Sequence, residues 1–344
     1  MPSIEFPDKN KDDVRPNSRI PLVVIVGPTA VGKSEIAIKL AERFDGEIVS
    51  ADSRLFYRGM DIGTAKPTLD ERKHVPHHLI DVADPDESWS VAIFQREARK
   101  AILGIHLMHH LPFLVGGTGQ FIRAITEGWD IPSVLPNPRL RGIFTQSAER
   151  LGAAQIHAWL ASLDPQAAKS IDPSNTRRTV RALEVIYSTG KRFSEQRKRG
   201  EIAYNVLMLG LTCPRSELYR RIDERISRMV STGFVEEVQR LLEKGYRAQL
   251  PTMSAIGYAE VVAYIQGKIS LEGAIAQMKR RTRIFVRRQA NWFKLDDERI
   301  AWFQANITTA DEMGKTISQW LKTINRDDLE VKNPKTVKIN HIFD

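Results

Sequence analysis

Apolar positions along the chain follow two rhythms. Short unbroken runs at residues 22–26 and 112–115 predict buried strands, because a strand covered on both faces has no reason to alternate, and a further short strand is expected at 47–50. Between them, apolar residues recur at helical spacing over 33–44 and 91–107. Strands alternating with amphipathic helices predict a parallel sheet covered on both faces, so the N-terminal third reads as an α/β layer. After Gly128 the texture changes. Pro132, Pro136 and Pro138 punctuate a linker, and 139–187 is helical in pattern with Asp-Pro breaks at Asp164 and Asp172. A β-like run at 204–211 returns the chain to the sheet, and long helices follow at 215–244 and 271–293. The expected organisation is an α/β core of 20–128 and 204–325, a helical insertion at 129–203, a frayed extension at 1–19 and a polar tail at 326–344.

Composition changes this picture little. A chain of 344 residues with 42% hydrophobic and 27% charged residues is an ordinary globular one, and its apolar runs are strand-sized, too short for a bilayer span. The first nineteen residues lack an apolar stretch before a small-residue cleavage site, so a signal peptide is not expected. A single cysteine, Cys213, excludes an internal disulfide and agrees with a reducing cytoplasm.

Charge changes it more. The net charge of +9 resides in two segments: 177–200 contributes +6 and 279–294 contributes +7, so the remainder sums to −4. Clustered Lys and Arg in an otherwise slightly acidic chain are the footprint of a polyanion partner, since they gain by releasing phosphate counterions. Within these segments Arg177 and Arg181 lie four apart, and Arg280, Arg283 and Arg287 repeat that spacing ahead of Trp292 and Phe293. Basic helix faces with nearby aromatics suit RNA better than duplex DNA, although core packing explains the aromatics equally well.

The run GPTAVGKS at 27–34 follows the first strand and opens a helix, the P-loop pattern in its required context. Gly27 and Gly32 let backbone N–H groups curl around a phosphate at the positive end of the helix dipole. Lys33 would reach the outer phosphate, and the Ser34 hydroxyl would coordinate Mg²⁺. The same cradle holds ATP, GTP or any diphosphate. A hydrolase should also carry an acidic residue after an apolar strand, but 112–115 ends in Gly116-Gly117-Thr118-Gly119, so hydrolysis is not favoured. Asp52 ends the 47–50 strand at the carboxyl edge, where ligands bind; it equally suits capping the next turn. His77 and His78 are adjacent and point apart, which argues against zinc.

Taken in order, GPTAVGKS, VSADSRLFYRGMDIGTAKP, VPHHLID, PFLVGGTGQF, RRTVRALEVIYSTGK, RRIDERISRMVSTGFVEEV, SAIGYAE and VRRQANWF resemble the bacterial tRNA dimethylallyltransferases, over 27–293. Departures are SRLF after Asp52, Gln120-Phe121 and Ala259. The resemblance implies a P-loop NTPase-like parallel sheet core with a helical insertion domain. It also implies transfer of a dimethylallyl group from dimethylallyl diphosphate to N6 of the adenine 3′ of a tRNA anticodon. The loop residues Gly27, Pro28, Thr29, Ala30, Val31, Gly32, Lys33 and Ser34 would hold the diphosphate with Mg²⁺, helped by Arg221 and Arg225. Asp52 would act as general base and Thr118 would orient the substrates. The anticodon stem-loop would meet Asp52, Ser53, Arg54, Leu55, Thr118 and Arg141. It would also meet Arg177, Arg178, Thr179, Val180 and Arg181 of the insertion, and Arg283, Arg287 and Arg288 of the basic C-terminal helix. No obligate protein partner and no membrane association are implied.

Overall fold

The computed structural model describes residues 19–131, 137–195, 200 and 202–330. The first βα units follow the apolar pattern closely: β1 (Ile20–Val26), α1 (Lys33–Arg43), β2 (Gly46–Ser50), α2 (Leu69–His74), β3 (His77–His78), α3 (Val91–Leu107), β4 (Leu111–Val115) and α4 (Gly119–Thr126). Side-chain caps set several helix starts. Ser90 Oγ accepts from Ile93 N–H at α3, and Thr68 and Glu71 form a reciprocal capping box at α2. The two-residue β3 was not expected from the sequence.

Next come α5 (Pro138–Leu151), α6 (Ala153–Leu163), α7 (Pro165–Ser170) and α8 (Thr176–Thr189). Pro138 is not a linker residue. It occupies the first turn of α5 behind the cap Asn137, where a missing N–H costs nothing. The remaining linker prolines, Pro132 and Pro136, lie outside the described residues. These four helices enclose their own apolar cluster around Phe144, Ile156, Leu160 and Leu183, separate from the main core. The chain leaves and rejoins the sheet at a narrow neck, where Gly200 N–H donates to Gly128 O at 2.7 Å.

The return comprises β5 (Tyr204–Thr212), α9 (Arg215–Ser231), α10 (Phe234–Glu243), α11 (Tyr258–Ile265), α12 (Leu271–Ala290), β6 (Ile300–Gln304) and α13 (Thr309–Glu330). The single helix expected over 215–244 is two, broken where Gly233 turns left-handed at φ 98°. The polar tail expected from 326 is corrected as well. Residues 326–330 continue α13, which packs on α1 and buries Met313 and Ile317. Residues 331–344, and 1–18 of the expected extension, lie outside the described residues.

All six strands are parallel, in the order β3-β2-β4-β1-β5-β6. Parallel pairing sends every carboxyl end to one edge. The turns after β1, β2 and β4 therefore meet there although they are distant in sequence. Leu22 to Val26 are completely buried, as their continuous apolar run requires.

Candidate active site

The turn after β1 wraps into a cradle that ends on the first turn of α1. Gly27 adopts φ 148°, and a Cβ there would stand 2.5 Å from the Leu211 carbonyl oxygen, so the close approach of β5 admits only glycine. Lys33 Nζ donates to Pro28 O at 2.7 Å, which folds the ammonium back over the loop. Burial there pulls its pKa down to about 8, with Arg225 adding to the lowering and Asp52 opposing it. Burial also lowers Arg225, and Asp52 again opposes the shift. Two cations and one carboxylate therefore lie within reach of one another's charge, a setting that holds an incoming anion.

The neighbouring turns complete the wall. Asp52 Oδ1 accepts from Arg54 N–H at 3.0 Å, so the carboxylate caps its own turn while lining the channel. Ser53 N–H donates to Thr118 Oγ1 at 3.4 Å and joins this turn to the glycine-rich one after β4. A channel of about 430 Å³ runs from these polar groups along an apolar wall of Ile222, Ile226, Met229, Met278 and Phe285. Thr29, Asp52, Thr118 and Arg225 stand on its polar side, and Arg288 and Trp292 are also in its lining.

A family model described as IPP transferase matches residues 55–296. The chain belongs to the IPP transferase family. Its relatives include the tRNA dimethylallyltransferase of Roseiflexus sp. (strain RS-1), 53% identical over 275 residues that make up 80% of this chain and 90% of that one. The tRNA dimethylallyltransferase of Thermomicrobium roseum is 52% identical over 278 residues, 81% of this chain and 84% of its own. Among solved structures, the full-length tRNA isopentenylpyrophosphate transferase of Bacillus halodurans aligns with TM-score 0.68 and 39% identity, covering 91% of this chain and all of that one (100%). A eukaryotic dimethylallyltransferase acting on tRNA aligns with TM-score 0.71 and 28% identity, over 92% of this chain and 81% of its own.

In this IPP transferase the two arginines expected at the diphosphate differ. Arg225 lines the channel and donates to Thr64 O at 2.9 Å. Arg221 donates to Glu217 at 2.7 Å and to Val31 O at 3.1 Å, and so braces the loop from outside. Of the expected RNA contacts, two are internal and three arginines, though partly or fully exposed, already have carboxylate partners. Thr179 and Val180 are buried in the insertion, so their side chains offer nothing to RNA. Arg141 and Arg181 pair with the fully buried Glu184 at 2.8 and 3.1 Å. Arg283 binds Asp223 at 2.7 Å and stacks over Tyr219 at 5.1 Å, which ties α12 to α9. Arg177, Arg178, Arg287 and Arg288 are exposed. Among the described residues, no group of three or more His, Cys, Asp or Glu could hold a metal ion. His77 and His78 have protein partners instead, Val75 O and Glu47.

Two residues went unnoticed in the sequence. Buried Glu237 accepts from the N–H groups of Asp61, Ile62 and Gly63 at 2.9, 2.7 and 3.2 Å, and from Tyr258 OH at 2.6 Å. It thereby fixes the loop whose Thr64 carbonyl holds Arg225. Buried Gln289 reaches from α12 to Thr29 N–H at 2.9 Å and to Gly117 O at 3.1 Å. Each has a signal in retrospect: Glu237 shares the i, i+3, i+4 face of Phe234, Val238 and Leu241, and Gln289 shares that of Met278 and Val286. A polar residue on a buried face needs a partner.

Proposed function

We propose that this chain transfers the dimethylallyl group of dimethylallyl diphosphate to N6 of the adenine 3′-adjacent to the anticodon in tRNA. One observation carries the reading: Thr29 of the phosphate loop, the Asp52 carboxylate and an apolar wall line a single channel. Lys33, Arg225 and the loop N–H groups suit a diphosphate, and the wall from Ile222 to Phe285 suits a five-carbon chain. An ATPase or GTPase would have no use for such a wall.

In the transfer, the N6 lone pair attacks C1 of the allyl group, and the C1–O bond breaks with its electrons leaving on pyrophosphate. The proton shed by N6 passes to the Asp52 carboxylate. Lys33 and Arg225 neutralise the charge that grows on the leaving group. Thr118, linked to the Asp52 turn through Ser53 N–H, orients the acceptor. The donor set also fits Mg²⁺, because the Ser34 hydroxyl is exposed in the first turn of α1 and a diphosphate brings the remaining hard oxygens. When bound, Mg²⁺ would supply further charge stabilisation to pyrophosphate.

To enter the channel the adenine must leave its stack, as bases generally do for enzymes that modify them. Arg287 and Arg288 of α12, with Arg177 and Arg178 of the insertion, would hold the surrounding stem-loop. No helix among the described residues is long and apolar enough to cross a membrane. The cytoplasm, where tRNA is found, is the workplace we assign. The test is Asp52→Asn in single-turnover transfer to an anticodon stem-loop at saturating donor. Loss of the base should slow transfer by roughly 10²–10⁴ while both substrates still bind. Near wild-type transfer would remove Asp52 from the chemistry.

A further inference from the structure

The Pro28–Thr29 peptide is gripped from both sides. Its carbonyl, Pro28 O, receives the Lys33 ammonium at 2.7 Å, and its N–H, on Thr29, donates to Gln289 Oε1 at 2.9 Å. A trans peptide is planar, with N–H and C=O pointing in opposite directions, so holding one end sets the direction of the other. Gln289 is 5% exposed, and its Nε2 donates at 3.1 Å to Gly117 O, one residue before Thr118. A Cβ on Gly117 would stand 2.3 Å from that nitrogen, so this glycine makes room for the amide. One side chain thus spans the phosphate loop and the turn that carries Thr118. Its helix also carries the exposed Arg287 and Arg288.

We infer that Gln289 is a positioning residue for the diphosphate site, setting the Pro28–Thr29 peptide plane and so where Lys33 waits for the leaving group. The inference rests on the prenyl-transfer reading for its substrate, but the hydrogen bonds it uses belong to the chain alone. Gln289 also lines the channel, but in this scheme it acts through the loop peptide it holds. It aligns Lys33 through one peptide unit, and the Gly117 carbonyl holds the Gln289 amide in place.

The test is Gln289→Met, which keeps length and volume and removes both polar ends. Titration calorimetry with inorganic pyrophosphate should show affinity falling about tenfold, the scale of one buried hydrogen bond. In transfer assays kcat should fall and KM for the donor rise, while KM for an anticodon stem-loop stays within twofold. A merely structural role would move both KM values together or neither. Wild-type pyrophosphate affinity in the folded variant would overturn the inference, and so would equal losses for donor and RNA. The wild-type chain offers a check that needs no variant: the Thr29 amide should exchange slowly with solvent in the free protein. Exchange at the rate of an open loop would also overturn it. If the wild-type chain binds no pyrophosphate at all, the transfer reading fails. Gln289's hold on the loop is then decided by Thr29 exchange alone.

Discussion

Replacing Glu237 with glutamine perturbs the site from a distance and in a calculable way. Oε2 accepts from Asp61 and Ile62 N–H, and Oε1 accepts from Gly63 N–H and Tyr258 OH, so each oxygen serves two donors. A glutamine has one carbonyl oxygen; with its NH₂ on the Oε1 side the Tyr258 hydroxyl can turn and accept, but Gly63 N–H then faces an NH₂ group and every remaining bond loses its charge. Leaving one buried donor unmatched and removing the charge from the other bonds should cost about 2–3 kcal/mol locally, well above the loss of a single neutral hydrogen bond. Amide exchange at Asp61, Ile62 and Gly63 should accelerate by roughly 30- to 150-fold, since each 1.4 kcal/mol is tenfold. The loop also holds Arg225 through Thr64 O, so KM for the donor should rise by about tenfold, while RNA affinity holds. Tyr258→Phe removes one donor and leaves the carboxylate its three N–H partners, so it should cost less than the glutamine. Exchange within threefold of wild type in Glu237→Gln would refute the reasoning, because it would mean that solvent already satisfies those amides.

Lys33→Ala should cut turnover strongly and leave stem-loop affinity nearly unchanged, since its charge acts mainly as pyrophosphate departs; equal losses of both would contradict this. With the Lys33 pKa near 8, pyrophosphate affinity in the wild-type chain should weaken as pH rises through that value, and the Lys33→Ala profile should be flat across it. Neutralising Arg287 and Arg288 together should weaken RNA binding and reduce the log–log salt slope by about 0.7 to 0.9 per lost phosphate contact. Arg283 is left out because removing it would orphan Asp223. His110, hydrogen-bonded to Glu47 at 2.6 Å, has its pKa raised by that bond first and by the Asp45 and Glu47 charges next. Its contribution to stability is complete below the ordinary value of 6.5 and is lost as pH rises through the raised one. His110→Gln should therefore flatten the melting-temperature profile across that interval.

The strands and helices of the first third were legible because β1 and β4 are continuous apolar runs and the helices between them keep an apolar face. By contrast, β3 has only two residues and leaves no run to read, and the apolar run Ile300 to Phe303 of β6, at a sheet edge and mostly unburied, was missed. The tight turn after β1 was legible from its glycines, and the placement of Asp52 at the carboxyl edge of the sheet from its position after β2. The arginines were not. Residues at i and i+4 stack alike whether they face a phosphate or an internal carboxylate, and the carboxylates that capture Arg141 and Arg283 lie 43 and 60 residues away. Only the fold brings them together. Glu237 and Gln289 sat in plain view on buried helix faces, but their partners are backbone groups, which no side-chain motif announces.

The order of strands in the sheet also bears on how the chain is made. β1 carries the phosphate loop and lies between β4 and β5, so its second neighbour leaves the ribosome about 180 residues after β1 itself. At roughly 5–20 residues per second, that strand edge waits on the order of 10–35 s without its partner. The insertion is synthesised in that interval and has a separate apolar cluster, so it can condense without the unfinished sheet. The waiting edge of β1, apolar along its length, is where a stalled or overproduced nascent chain would first pair with the wrong strand.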